Sequence, residues 1–198
     1  MKVYTRKGDD GTTGLLFGGR VRKDDPAPAA YGDVDEAQAF IGLARSETER
    51  GSELDAMLVA LERDLWILMA ELATAPDKHD KLVAGTSLAT PEMVERLETL
   101  IDDVSDRFDP PTEFVVPGES RVAARLDVAR TVVRRAERTC VSAAVDGSSV
   151  GPYLNRLSDL LWTLARWQEG TSLATRTAAD PRSTDVADTS DPAEEESP

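Results

Sequence analysis

The segment that decides the fold is SRVAARLDVARTVVRRAERTCVSAAV, residues 120–145, the longest periodic stretch of the chain. Apolar side chains recur in it every three or four positions, at Val122, Leu126, Ala129, Val133, Ala136 and Cys140. An α-helix turns once in about 3.6 residues, so this spacing collects the apolar side chains on one face. The segment therefore predicts a long helix with one buried face and one exposed face.

Four other segments share this periodicity: residues 29–48, 53–75, 90–109 and 151–168. The helix predicted from residue 90 has a well-marked start, because Thr90 offers a capping hydroxyl and Pro91 suits a first helical turn. The connecting loops are short, and strand signals are nearly absent. We therefore expect an all-α fold, a five-helix antiparallel bundle.

The two ends of the chain lack this pattern. Residues 1–25 are rich in Gly, Thr, Asp and Arg without a sustained period, which predicts a loop. From residue 171 the chain has no aromatic residue, has three prolines and closes on EEESP, so it offers little apolar surface to bury. We expect one domain over residues 1–170, including the N-terminal loop 1–25, and an acidic disordered tail over 171–198.

The composition excludes several classes of function. The formal net charge is −14, which argues against sequence-independent binding to nucleic acid. No apolar run approaches the roughly 18 residues of a membrane span, and the N-terminus is charged, so we expect a soluble cytoplasmic protein. The acidic excess indicates a surface adapted to concentrated salt. A GC-rich genome would explain why arginine exceeds lysine, but it would not explain the acidic excess.

The N-terminal motif TRKGDDGTTG, Thr5–Gly14, has the components of a phosphate-binding loop. Its three glycines permit close backbone approach, and its threonines and basic residues supply hydrogen-bond donors and positive charge. It is not a Walker A loop, since GxxxxGK[ST] occurs nowhere in the chain. A flexible glycine-rich terminus is the alternative interpretation.

A second candidate site lies in the helix of residues 120–145. Arg130, Arg134 and Glu137 follow at helical spacing and form one polar stripe, with Arg135 and Arg138 beside it. Arginine binds phosphate oxygens in a bidentate manner, and a carboxylate beside it can orient arginine or hold a hydrated metal ion. An exposed, salt-bridged helix face is the alternative.

Two weaker polar clusters lie on the first and last predicted helices. They consist of Asp33, Asp35 and Glu36, and of Asn155, Ser158 and Asp159. The three acidic residues near the start of the first helix complement the helix dipole, which is a sufficient structural reason for them. The alternative is that one of them forms a salt bridge with an arginine of the stripe. The Asn155 amide offers a donor and an acceptor together, as nucleotide recognition needs.

Taken together, TRKGDDGTTG, AAYGDVDEAQ, EFVVPG, ARTVVRRAER and YLNRLSDLLW resemble the PduO-type ATP:cob(I)alamin adenosyltransferases over about residues 1–168. The resemblance implies transfer of the 5′-deoxyadenosyl group of ATP to the cobalt of a reduced corrinoid, with Mg²⁺ as cofactor. A non-catalytic ATP or corrinoid sensor, or a delivery chaperone of the same fold, is the alternative. A flavin reductase and an adenosylcobalamin-dependent mutase are possible partners.

The resemblance also implies roles for individual residues. Those that bind ATP would be Thr5, Arg6, Lys7, Gly8, Thr13, Gly14, Lys23, Arg134, Arg135, Glu137, Arg138 and Asn155. Glu137 would also support Mg²⁺. The family forms a trimer with ATP sites between subunits, and Asp35 and Arg130 resemble its salt bridge at that interface.

Phe114 matches the phenylalanine beneath the corrin ring in this family. Cob(II)alamin must lose its lower axial ligand to accept an electron at an accessible potential, and an apolar ring can displace that ligand. The resulting Co(I) is the nucleophile, so no protein nucleophile is expected. Three features depart from the family pattern: Glu119 follows Gly118 where a second glycine is usual, Arg6 stands where lysine is usual, and no corrinoid-enclosing segment is recognisable after Gly170.

Overall fold

The computed structural model describes residues 4–176 and 178, and it contains five long helices and a small two-stranded sheet. The helices are α1 Pro26–Arg45, α2 Glu53–Leu72, α3 Pro91–Ser105, α4 Arg121–Cys140 and α5 Val150–Glu169. A 3-10 helix covers Pro76–Lys81, and the strands are β1 Thr12–Gly14 and β2 Arg20–Arg22. The five predicted helices are confirmed. The helix predicted to reach residue 145 ends at Cys140, and residues 141–143 form turns instead.

Polar pairs between helices fix the directions in which the helices run. Near one end of α4, Asn155 of α5 donates to Glu137, and near the other end Arg166 of α5 donates to Asp127. α4 and α5 are therefore antiparallel, and similar pairs show that α1 and α2 are antiparallel and that α2 and α3 are antiparallel. α3 and α5 also contact each other. They run in the same direction, since Arg156 near the start of α5 pairs with Glu98 of α3, and Trp167 near the end of α5 contacts Arg107 just after α3.

The core consists of the faces that the periodicity assigned to it. In α4, Leu126, Val133 and Cys140 are fully buried, together with Ala129 and Ala136. Burial raises the pKa of the Cys140 thiol to about 12, and the charges of Asp33 and Glu137 add to the effect. Cys140 is thus a core residue, as its position in the periodic pattern predicts, and it stays protonated at neutral pH.

The N-terminal segment contains a hairpin where the sequence predicts only a loop. β1 and β2 pair antiparallel, with Thr13 opposite Val21. Strands of three residues are too short to show the alternation that identifies a strand in a sequence. The turn between them needs left-handed backbone at Phe17, Gly18 and Gly19, and the two glycines adopt it without strain.

The predicted side-chain cap of α3 is wrong. Thr90 is the N-cap residue and has extended backbone, but its side chain makes no capping hydrogen bond. Its hydroxyl hydrogen-bonds to Glu92 instead, and this bond is the main reason why the pKa of that carboxyl lies below its usual value. The first turn of α3 therefore begins with proline at the favoured position but without a side-chain cap.

Ordered pairing continues past residue 170, where the disordered tail is predicted to begin. Leu173 accepts a hydrogen bond from the amide of Val116 (2.8 Å), and the amide of Thr175 donates to Phe114 (2.8 Å). Residues 177 and 179–198, which form most of the predicted tail, lie outside the described residues. Within the described part of the chain, none of the helices has the length and apolar character needed to cross a membrane.

Candidate functional site

Two arginines, one in the polar stripe of α4 and one beside it, have no carboxylate partner in the described part of the chain. Arg134 and Arg138 are exposed, and within residues 4–176 neither forms an ion pair. Nη1 of Arg138 donates to the main-chain carbonyl of Arg134 (2.8 Å), so the Arg138 guanidinium lies over the helical turn that carries Arg134. This local excess of positive charge favours an anion-binding surface over the alternative of a salt-bridged helix face.

Glu137 lies beside these arginines and connects α4 to α5. Nδ2 of Asn155 donates to Oε1 of Glu137 (2.9 Å), and Oδ1 of Asn155 accepts from Nη1 of Arg156 (2.8 Å). The structure therefore brings together two residues that the resemblance assigns to nucleotide binding, although they lie on different helices. These contacts hold the carboxylate and the amide in fixed orientations.

Arg135 differs from the other arginines of this segment. It points to α1, where it forms ion pairs with Asp33 (3.5 Å) and with Glu36. The hydrogen bond with Glu36 is the main reason why the pKa of its guanidinium lies above the ordinary value. The salt-bridge interpretation therefore describes Arg135 well, and its assignment to phosphate binding stays a prediction.

The N-terminal motif folds into a tight turn that Arg20 holds closed. Nη2 of Arg20 donates to the carbonyl of Lys7 (2.5 Å) and to Oγ1 of Thr12 (2.6 Å). Oδ1 of Asp10 accepts from the amide and the hydroxyl of Thr12 and lies 3.6 Å from Arg20. The Thr12 hydroxyl is the main reason why the Asp10 pKa lies below its usual value. The negative charge of Asp10 thus organises the turn itself.

Gly8 and Lys23 pack tightly within this turn. A Cβ atom added at Gly8 would lie 3.1 Å from the carbonyl oxygen of Thr12 and 3.2 Å from Nζ of Lys23. The Gly8 amide has no hydrogen-bond partner among the described residues, and the side chains of Thr5, Arg6 and Lys7 are exposed. Thr13 and Gly14 follow in β1. Arg20 is a functional candidate that the motif alone does not reveal, because it comes opposite Gly14 only once the chain forms a hairpin across GLLFGG.

The hairpin docks on α2 and its following turn. The amide of Leu16 donates to the carbonyl of Ala73 (2.8 Å), and Nζ of Lys78 donates to the carbonyl of Gly18 (2.7 Å). Among the hydrogen bonds and ion pairs of the described residues, none joins residues 4–25 to α4 or α5. Within the described residues of one chain, the N-terminal motif and the arginine stripe are therefore not directly linked by a hydrogen bond or an ion pair.

A cavity of about 430 Å³ lies at the other end of the bundle, beside the segment that contains Phe114. Phe114 is 91% exposed, and Arg130, Trp162 and Arg166 also line the cavity. Nε of Arg130 donates to Oδ1 of Asp127 (3.1 Å). Phe114 and Arg130 thus line the same cavity. Asp127, Trp162 and Arg166 also line this cavity and were not predicted. The sequence does carry a signal for Asp127 and Arg166, because each is a charged residue on an otherwise apolar helix face.

Asp35 lies on a different side of the molecule from Arg130. It lines a cavity of about 660 Å³ between α1 and α2, together with Leu16 of the hairpin and Trp66, which is 71% exposed. Since Arg130 lines the Phe114 cavity, the predicted Asp35–Arg130 pair is not formed within one chain. A contact between the two residues requires a second copy of the protein.

The metal-binding potential of the described residues is limited to isolated carboxylates. Among them there is no group of three or more His, Cys, Asp or Glu side chains arranged to hold a metal ion. Mg²⁺ commonly uses one or two protein carboxylates together with substrate phosphates. Glu137, beside Arg134 and Arg138, fits a site of that kind.

Comparison with known proteins identifies the family. The cobalamin adenosyltransferase family model matches residues 3–168. A corrinoid adenosyltransferase of Mycobacterium bovis is 43% identical over 173 residues, which cover 83% of this chain and 87% of the relative. A corrinoid adenosyltransferase of Bacillus subtilis is 39% identical over 172 residues, covering 84% of this chain and 86% of the relative.

Solved structures agree with this assignment. A variant PduO-type ATP:corrinoid adenosyltransferase from Lactobacillus reuteri, complexed with cobalamin and ATP, superimposes with a TM-score of 0.79 at 29% identity. The match covers 89% of this chain and 97% of that one. Another variant of that enzyme, complexed with ATP, gives a TM-score of 0.76 at 28% identity, covering 87% and 99% of the two chains. The chain belongs to the cobalamin adenosyltransferase family.

Proposed function

We propose that this protein transfers the 5′-deoxyadenosyl group of ATP to the cobalt of cob(I)alamin, giving adenosylcobalamin and triphosphate. The observation that carries the proposal is the order of groups along α4. Arg134 and Arg138 offer unneutralised positive charge, and Arg130, about 6 Å further along the helix axis from Arg134, lines the Phe114 cavity. A triphosphate on the arginines would thus lie next to a corrinoid in the cavity.

The reaction requires positioning more than it requires a protein nucleophile. Co(I) attacks C5′ of the ribose, the Co–C bond forms, and the C5′–O bond breaks so that triphosphate leaves with the electron pair. Arg134 and Arg138, with the N-terminal turn, would bind the triphosphate and stabilise the charge that develops on it. Asn155 would orient the nucleoside through its amide.

Phe114 would act on the corrinoid. Its ring is almost fully exposed beside the cavity, an unusual place for a large apolar side chain unless a ligand covers it. Seated beneath the corrin, the ring would displace the lower axial ligand of cob(II)alamin and exclude water. The cobalt is then easier to reduce to the nucleophilic Co(I) state.

Glu137 would hold Mg²⁺ together with phosphate oxygens of ATP. The hydrogen bond from Asn155 fixes the orientation of the Glu137 carboxylate. When bound, Mg²⁺ neutralises part of the triphosphate charge and makes triphosphate a better leaving group. Glu137 would orient the ion, and the flanking arginines would bind the phosphate oxygens that the ion leaves free.

We further propose that the complete ATP site forms between two copies of the chain in a homotrimer. Two observations support a shared site: among the described residues no hydrogen bond or ion pair joins the hairpin to α4, and Asp35 and Arg130 line different cavities. The exposed Trp66 beside Asp35 offers apolar surface for a subunit contact. The number of copies follows from the family resemblance, and the reductase, the mutase and a cytoplasmic location stay predictions.

An activity assay separates the enzyme from a corrinoid sensor or delivery chaperone of the same fold. The protein is incubated with ATP, Mg²⁺ and chemically reduced cobalamin, and the absorbance spectrum of the corrinoid is followed. We expect the spectrum of adenosylcobalamin to appear with formation of triphosphate. Binding of both substrates without product would favour the sensor or chaperone.

A further inference from the structure

A chain of buried polar groups begins at Arg130, on the wall of the Phe114 cavity. Asp127 accepts from Nε of Arg130 through Oδ1 (3.1 Å) and from Nη2 of Arg166 through Oδ2 (2.6 Å). The same Nη2 atom also donates to Oε1 of Glu169 (2.9 Å). Two guanidinium groups and two carboxylates thus alternate, and their charges balance.

The chain of contacts continues into the segment that carries Phe114. The hydroxyl of Ser172 donates to Oε2 of Glu169 (2.9 Å). The next residue, Leu173, accepts from the amide of Val116, and Thr175 donates to the carbonyl of Phe114, both at 2.8 Å. Side-chain and main-chain contacts therefore connect Arg130 to the backbone of Phe114 through the C-terminal end of α5.

The burial of these charges indicates that their geometry matters. Exposed fractions of the side chains are 1% for Arg166, 6% for Asp127 and 0% for Glu169. Buried ion pairs contribute little net stability compared with apolar residues of similar size, and one role attested for them is to specify a single arrangement. Nε of Arg166 is also buried and has no partner among the described residues, so apolar packing would have been the less costly solution.

The exposure of Phe114 explains why such an arrangement is useful. Since the ring packs against almost nothing in the protein, contacts of the ring cannot fix its position. Only the backbone of its segment can do so, and that backbone is paired with residues 173–175. Anything that fixes residues 172–175 therefore fixes, relative to Arg130, the backbone from which the ring extends.

We propose that Asp127, Arg166, Glu169 and Ser172 are positioning residues, which hold Phe114 at a set position over the cavity and relative to Arg130. The inference rests on the proposed role of Phe114 in displacing the lower ligand of cob(II)alamin. The four residues need not touch either substrate, because they act through the backbone of residues 114–116.

Two mild substitutions test the proposal: the first leaves every buried charge in place, and the second removes one carboxylate charge but keeps the size of the side chain. Ser172→Ala removes the link between Glu169 and the C-terminal segment, and Glu169→Gln weakens the link but keeps its shape. Each variant is titrated with cob(II)alamin in the presence of ATP, and electron paramagnetic resonance measures the fraction of cobalt that lacks a lower ligand. Ser142→Ala is the control, since that hydroxyl only donates to Thr139 in the turn after α4.

We expect the fraction of cob(II)alamin without a lower ligand to fall several-fold in Ser172→Ala and in Glu169→Gln. The affinity for ATP and the rate with pre-reduced cob(I)alamin should stay close to those of the wild type and of Ser142→Ala. A wild-type fraction in both variants would overturn the proposal. An equal loss of ATP affinity would also overturn it, since that result indicates general destabilisation. If the wild-type protein itself leaves the lower ligand in place, the role of Phe114 fails as well.

Discussion

Individual arginines of α4 have different surroundings although the sequence presents them as one cluster. Arg135 is neutralised by α1 and Arg130 by Asp127, whereas Arg134 and Arg138 have no carboxylate partner in the described part of the chain. A guanidinium without a carboxylate partner is ready to bind an anion, since no existing ion pair must be broken first. Arg134 is therefore the most informative residue for testing the phosphate site.

We expect Arg134→Ala to weaken ATP binding. Loss of a charge-assisted hydrogen bond costs about 1.5–3 kcal/mol, which corresponds to a roughly ten- to hundred-fold increase in the KM for ATP. Steady-state kinetics at saturating cob(I)alamin measure the effect. Arg121→Ala is the matched control, because Arg121 is exposed on the same helix about 20 Å away. Near-normal kinetics for Arg134→Ala would identify the stripe as a solvated face.

Arg20 gives a second test at the scale of single residues. Because Arg20 holds the turn of residues 7–12 closed, Arg20→Ala should raise the KM for ATP by about tenfold, the equivalent of about 1.4 kcal/mol. Arg22→Ala is the control, since Arg22 lies on the same strand but its guanidinium donates, among the described residues, to Asp24 alone. Equal effects of the two substitutions would show that general charge, and not the turn, attracts ATP.

At the scale of secondary structure, helices were predictable and the short pairings were not. Each helix carries a long apolar period that needs no partner to be recognised, as α2 shows with leucine at six buried positions. The three-residue strands of the hairpin show no such period. Likewise, nothing within residues 171–176 signals that they pair with residues 114–116, because that pairing depends on where α5 ends relative to α4.

The candidate site shows the same division. The sequence, through its resemblance to a family, indicated Glu137 and Asn155, and the structure joins them. It did not indicate which arginines are neutralised, since this depends on the carboxylates that neighbouring helices bring near them. Arg20 and Arg166 were missed because their partners come from other elements or from the opposite strand.

The helix starts provide a test at this scale. Oγ of Ser52 accepts from the amide of Asp55 at the start of α2, whereas Thr90 makes no capping bond at the start of α3. Ser52→Ala should therefore lower the free energy of unfolding by about 1 kcal/mol, and Thr90→Ala should lower it by clearly less. Urea unfolding followed by circular dichroism measures both values. Equal losses would contradict the geometry of the Thr90 hydroxyl.

For the whole molecule, the division of the site between two faces predicts complementation between defective subunits. Lys7→Ala changes the N-terminal turn and Arg134→Ala changes α4, so at ATP concentrations near the wild-type KM each variant alone should have only a small fraction of the wild-type activity. When the two are mixed, unfolded and refolded together, about a quarter of the shared sites would combine two intact halves. Recovery of that share of activity supports a site between subunits. A mixture that stays inactive would place the site within one chain.

The charge of the whole molecule allows a different test. Mutual repulsion at a net charge of −14 opposes the compact state, and salt screens it. If the surface is adapted to concentrated salt, the Tm should rise steeply as KCl increases to molar concentrations. Differential scanning fluorimetry measures the change. A flat response would instead favour a codon-usage origin for the arginine excess.

Two tryptophans are placed so that their intrinsic fluorescence can report on assembly and on corrinoid binding. Trp66 lies exposed beside Asp35, on the face assigned to subunit contact, while Trp162 lines the Phe114 cavity. Subunit association would shift the emission of Trp66 to shorter wavelength as water leaves its indole. A corrinoid in the cavity would quench Trp162 by energy transfer, because corrinoids absorb in the region of indole emission. The emission wavelength and the emission intensity are measured separately. Fluorescence can therefore follow subunit association and corrinoid binding in the same unlabelled sample.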